Sequence, residues 1–182
     1  MAISLPVYAT FACTAGSLNA NMTESTPTAD FTINGGITVT HAKTGLMWKQ
    51  CAEGLSGAGC STGTATTTNW AGALNAANTA SAASFSGYTD WRLPNIKELV
   101  SIIESCGHRP SINLTVFPVS PREQFWSSIN SVTGGAWVVN FFGSGGNSQF
   151  VEESTQPYFR LVRGGSNYDA FEFLNATSLL SG

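Results

Sequence analysis

Catalysis needs nucleophiles, bases or metal ligands gathered at a workable spacing, and this chain of 182 residues offers few of them. Its two histidines are His41, in the turn-like His41-Ala-Lys-Thr-Gly45, and His108, beside Arg109 in a proline-flanked loop. His41 reads as a solvated turn residue, and His108 has no acidic or nucleophilic neighbour. No Gly-x-Ser-x-Gly elbow is present. Gly143-Ser-Gly-Gly146 follows a strand but runs on into Asn-Ser-Gln-Phe150, which makes it a hairpin tip and not a phosphate cradle. Glu152-Glu153 is one adjacent pair, the pattern of a solvated face. No catalytic residue, metal ligand or cofactor is therefore expected, and the chain reads as a non-enzyme.

What remains is recognition chemistry. From Ser127 to Asn167 the chain is rich in Ser, Asn, Gly, Phe and Tyr, which supply adaptable hydrogen bonds and stiff aromatic contact area. Trp126, Trp137, Phe141 and Phe159 are assigned to the core. The candidate ligand contacts are Asn130, Asn140, Phe142, Ser144, Asn147, Gln149, Asn167 and Tyr168, placed on loop tips. The expected partner is a protein or glycan at a host or neighbouring cell surface. A trimerising or stalk-capping module with no ligand is the structural alternative.

Composition narrows the setting. Charged residues make up 10% of the chain, the formal charge is −3 and the pI is about 5.2. Nothing in that balance steers the chain towards nucleic acid or anionic membranes, and no apolar run reaches the length of a membrane helix. Four cysteines allow three pairings. Cys51 and Cys60 enclose a Gly-rich excursion that needs a staple to be ordered, and Cys13–Cys106 follows by elimination. Spacings of 38, 9 and 46 residues contain no C-x-x-C knuckle, so disulfides are preferred to zinc. They imply an oxidising compartment, extracellular or at a cell surface. The N-terminus lacks a charged leader region, and Met1 is read as a start replacing a removed export signal. A lipid on Cys13 is disfavoured by Phe11 and by the odd cysteine it would leave.

The elements that must position these residues are legible in places. Ile37–Thr40 and Leu46–Lys49 alternate about a five-residue turn, the pattern of a β-hairpin. A helix is expected from Asn69-Trp70 to about Ala80, capped by Thr68. Trp91 and Leu93 alternate with Arg92, and Pro94 then stops the strand. Asn95 follows as an N-cap with Glu98 completing a capping box. Ile96, Leu99, Val100 and Ile103 form one helical stripe ending near Cys106. Three prolines mark 110–121 as an ordered irregular loop. Phe125–Ser128, Ala136–Phe142 and Tyr158–Arg163 are predicted strands, the last with Arg160 and Val162 on the face opposite Phe159 and Leu161. Residues 1–34 form an N-terminal arm, 35–165 the domain, and 166–182 a tail.

In order along the chain stand Lys43-Thr-Gly-Leu-Met-Trp48, Cys51 and Cys60, Trp70, Tyr88-Thr-Asp-Trp-Arg-Leu-Pro-Asn-Ile-Lys-Glu-Leu99, Phe125-Trp-Ser-Ser128, Ala136-Trp137 and Phe159-Arg-Leu-Val-Arg163. This series resembles the Lcl C-terminal domain family, named for a bacterial collagen-like surface adhesin. The resemblance implies an α+β, C-type-lectin-like fold: two helices flanking a small twisted antiparallel sheet, with long ordered loops as the ligand surface. It implies surface display and binding, to sulfated glycans in the adhesins. Some relatives are variable proteins diversified by retroelements near their C-terminus. This chain has no collagen-like repeat and few basic residues, so a sulfate-binding patch would need a local cluster such as Arg92, Lys97, Arg109 and Arg122. Gln156-Pro157-Tyr158 lacks the carboxylate of a calcium-dependent sugar site. Parts of the series are also similar to formylglycine-generating-enzyme-like domains, but no cysteine follows Cys106 to support that activity.

Overall fold

The computed structural model describes residues 24–106, 110–132, 134–143 and 146–165. Within them the chain is mixed α and β. Three small antiparallel sheets and two α-helices stand where the sequence suggested one sheet.

Strands β1 (Phe31–Asn34), β2 (Thr38–His41) and β3 (Met47–Lys49) form an antiparallel run. The β2–β3 hairpin is the one expected, with Val39 opposite Trp48. Strand β1 comes from the segment read as an arm without periodicity, and only its Phe31 is buried. His41 corrects the turn reading: it closes β2, is 3% exposed, and stacks on Phe31 at 4.5 Å. The backbone turn that follows, closed by Gly45 N–H donating to the His41 carbonyl, faces solvent without its histidine.

The Cys51–Cys60 disulfide is present. It braces a loop whose strand β4 (Leu55–Ser56) pairs with β5 (Thr62–Gly63). Gly54 and Gly63 both have φ of +89°, and a Cβ on either would strike backbone across the hairpin. Glycine is required there both for conformation and for space. Helix α1 (Trp70–Ala82) is capped by Asn69, whose Oδ1 accepts from Gly72 N–H at 2.8 Å, and not by Thr68.

The corner after Trp91 carries the predicted capping box. Asn95 Oδ1 accepts from Glu98 N–H at 2.9 Å, and Glu98 Oε2 accepts from Asn95 N–H at 2.7 Å. Glu98 also holds the Arg92 guanidinium through two bonds of 2.7 and 2.8 Å while only 1% exposed. Helix α2 (Ile96–Val100) is far shorter than the stripe suggested, and Val100 is exposed. Ser101 ends it by donating its hydroxyl to the Glu98 carbonyl that another turn would need. Beyond it Glu104, buried, accepts from Ser25 N–H, Thr26 N–H and Cys106 N–H, and from the Thr26 hydroxyl. Those bonds fasten residues 25–26 to the end of this corner. Cys106 is buried and disulfide-bonded; Cys13, its expected partner, lies outside the described residues.

Strands β6 (Gln124–Ser131), β7 (Gly135–Asn140) and β8 (Asn147–Glu152) make the second meander, in that order. Strand β9 (Val162–Arg163) then joins β3. The core has two parts. One gathers Trp48, Leu99, Phe117, Phe125, Phe141 and Val162. The other lies under α1, where Ala73, Ala77 and Ala80 meet Trp126, Val138, Phe159 and Leu161. Trp91 belongs to this second part, with Met47 of the hairpin.

Arg160 departs furthest from expectation. Only Val162–Arg163 of the predicted 158–163 strand pairs in a ladder, and Arg160 is 1% exposed. Its guanidinium donates to the carbonyls of Lys49 (3.0 Å) and Gln50 and to the Ser120 hydroxyl (2.6 Å), and stacks over Phe117. Burial pulls its pKa down to about 9, against the attraction of Glu53. Alternation fails here because the residue ties three separate segments from inside.

Candidate functional site

Register decides which side chains share a surface. Gln124 stands opposite Asn140, and Asn140 opposite Asn147; Trp126 stands opposite Val138, and Val138 opposite Gln149. Paired residues point to the same side, so Gln124, Trp126, Val138, Asn140, Asn147 and Gln149 lie on one face. Trp126, Val138 and Ala136 are buried with α1. At the end of that face Gln124 and Asn140 are half-buried while Asn147 and Gln149 are exposed. Four amide side chains thus line one open end of the sheet. Gln124 Nε2 donates to Gln149 Oε1 at 3.3 Å across β7, and Asn140 Oδ1 accepts from Phe142 N–H at 2.8 Å.

Three of the predicted contacts, Asn140, Asn147 and Gln149, are therefore brought together. They sit on strands and not on a tip, because β8 begins at Asn147. Phe142 follows directly, 51% exposed, with Arg122 stacked on its ring at 4.1 Å. Asn130 is on the same face at the opposite end, past the irregularity between Trp126 and Asn130, and donates to Glu153 at 3.2 Å. It is not gathered with the others. Ser144, Asn167 and Tyr168 lie outside the described residues, as do His108 and Arg109.

The opposite face carries Phe125 and Val139 into the first core. It also bears Trp137, which is half-buried and not a core residue: Phe150, 43% exposed, packs edge-on against it at 5.8 Å. The Phe150 ring lies across Gly135, where a Cβ would collide with it.

Beside the amide end, residues 155–158 run along the start of β6. Tyr158 N–H donates to the Gln124 carbonyl at 2.9 Å, and Trp126 N–H to the Tyr158 carbonyl at 2.9 Å. Between them opens a cleft of about 280 Å³ lined by Glu123, Gln124, Thr155, Gln156, Pro157 and Tyr158. Sequence reasoning missed it. Gln124 is the period-two neighbour of Trp126 and was recoverable by extending that strand one residue. Nothing local signals that 155–158 would lie against it.

Two of the basic residues proposed to gather for sulfate are engaged separately, and Arg109 lies outside the described residues. Arg92 holds Glu98, and Arg122 donates to the Phe142 carbonyl at 3.2 Å and stacks on its ring. Among the described residues no three of His, Cys, Asp and Glu converge as a metal site, and no helix is long and apolar enough to cross a membrane.

Comparison with curated proteins finds no match. The Lcl C-terminal domain matches residues 37–163, from the first hairpin to the last strand and more than half of the chain. With the hairpin, the braced cysteine loop and the capped Trp-Arg-Leu-Pro corner all present in that span, the chain belongs to the Lcl C-terminal domain family.

Proposed function

We propose that this protein is a non-enzymatic ligand-binding module of C-type-lectin-like organisation, displayed outside the cell, whose contact surface is the amide-lined end of β6–β8. The carrying observation is the alignment of Gln124, Asn140, Asn147 and Gln149 on one open sheet end beside a cleft. Amide side chains offer donors and acceptors together, and here they are mounted on paired strands, which hold them better than loops would. The disulfide-braced loop supports the extracellular setting.

The test is a glycan array and a surface-protein panel probed at low and physiological salt with the wild type and with Asn147→Ala/Gln149→Ala. Both positions are exposed, so the double variant is expected to fold and to lose binding by tenfold or more. Full binding by the variant refutes the assignment of the surface. Silence of the wild type on both panels, with trimers in light scattering, supports a structural module instead. If the surface is a diversified one, isolates will differ at Asn140, Asn147 and Gln149 and agree at Trp126 and Val138.

A further inference from the structure

We infer that the cleft beside the amide end receives a basic side chain, a lysine or arginine carried on an extended segment of a protein ligand. This rests on the preceding assignment of the ligand surface and names what one part of it selects.

Among the described residues, ion pairs join Lys43 to Asp30, Lys49 to Glu53, Arg92 to Glu98 and Arg163 to Asp90. Arg160 is enclosed in the core, and Arg122 is held by Phe142. The carboxylates of Glu152, Glu153 and Glu123 are answered differently, the first two at the Asn130 end of the sheet. Glu152 accepts from the Ser154 hydroxyl and Glu153 from the Asn130 amide, both neutral donors. Glu123, at the rim of the cleft, is exposed and has neither an ion pair nor a side-chain hydrogen bond among the described residues.

The lining fits the proposed occupant. Pro157 and Tyr158 line the cleft and offer carbon surface for the methylene stem of a long basic side chain, whose charged end stays hydrated or paired. Glu123 supplies a charge-assisted acceptor. Gln124 and Gln156 flank the opening with groups able to bond the peptide on either side. A sulfated sugar would instead meet Glu123 as a like charge, which opposes binding.

The test uses the ¹⁵N-labelled protein and a capped peptide of alternating lysine and serine, with its glutamate-for-lysine counterpart as control. The lysine peptide is expected to give saturable amide shifts at Gln124, Gln156 and Tyr158. Glu123→Gln, isosteric and exposed, is expected to weaken that binding about tenfold, while Glu152→Gln leaves it unchanged. Shifts insensitive to Glu123→Gln, shifts spread evenly over the acidic surface, or equal binding of the glutamate peptide would overturn the inference. If the lysine peptide is inert while another ligand moves Asn140, Asn147 and Gln149, the inference fails and the ligand surface stands. If Glu123→Gln abolishes lysine binding but Asn147→Ala/Gln149→Ala does not affect it, the cleft stands and the wider surface is refuted.

Discussion

Replacing Glu98 by Gln should be among the most damaging isosteric changes available in this protein. The carboxylate accepts two bonds from Arg92, at 2.7 and 2.8 Å, and one of 2.7 Å from Asn95 N–H, with 1% of the residue exposed. A glutamine keeps one oxygen and turns an NH₂ towards donors, so at least one of those bonds is lost. A hydrogen bond to a charged group is worth about 1.5–3 kcal/mol, and removing one partner of a buried ion pair costs about 3–5 kcal/mol. Arg92 retains the Gly164 carbonyl at 3.0 Å, and its side chain is 30% exposed, which places the expected loss near the bottom of the second range, about 3 kcal/mol. For a chain of this size that lowers Tm by roughly 6–12 °C. Urea unfolding followed by tryptophan fluorescence measures it directly. Asn95→Ala, which removes only the cap, should cost about 1 kcal/mol. Arg92→Met combined with Glu98→Gln should cost clearly less than the two single losses added, because the stranded charge is gone. A Glu98→Gln loss below about 1 kcal/mol, or strict additivity, would refute the claim that one carboxylate both caps α2 and neutralises Arg92.

Four further outcomes follow from buried groups. Desolvation lowers the His41 pKa below its ordinary 6.5, with Asp30 opposing and Lys43 adding to the shift. The unfolded chain then binds the extra proton, so stability should begin to fall as pH drops through about 6.5, and His41→Phe should flatten that part of the urea pH profile. Glu104 behaves differently: burial raises its pKa, but the bonds from Ser25, Thr26 and Cys106 outweigh burial and leave it below its ordinary 4.5. Its contribution is therefore present above about pH 4.5 and lost as pH falls towards the lowered folded value, a window that Glu104→Gln should remove. Opening the Cys51–Cys60 bridge by double serine substitution should cost roughly 2–3 kcal/mol for so short a loop, read as a shift in the urea midpoint. Arg160→Lys should not restore the stability lost in Arg160→Met, because one ammonium cannot span the Lys49 and Gln50 carbonyls and Ser120 together; thermal melts of both variants decide it.

These groups also mark where sequence reasoning stopped. The hairpin, the cysteine loop and the capping box were legible because each is set by neighbours within ten or so residues: alternation about a turn, a Gly-rich excursion between cysteines, an Asn followed by a Glu. Arg160 and Glu104 were not, since the Gln50 and Lys49 carbonyls lie 110 and 111 positions from Arg160, and Thr26 and Ser25 lie 78 and 79 from Glu104. The same limit governs the candidate site. Asn140, Asn147 and Gln149 could be chosen by residue type, yet their common face depends on the β7–β8 register, which the Gly-rich tip between them conceals. His41 was misplaced because a histidine before Ala-Lys-Thr-Gly resembles a turn, while its stacking on Phe31 depends on a strand without sequence periodicity.

The clamp that Glu104 makes on residues 25 and 26 has a mechanical meaning. Strand β1 lies at the margin of its sheet, bonded only to β2, and would peel one bond at a time if tension reached it first. Tension applied at Glu24 instead meets the Glu104 carboxylate, whose bonds to Ser25 and Thr26 must fail together. The load then passes into the turn beyond α2 and on to Cys106, bypassing β1. In a force-ramp experiment with the handle anchored at position 24, Glu104→Gln should accordingly lower the first rupture force and convert a single break into gradual yielding.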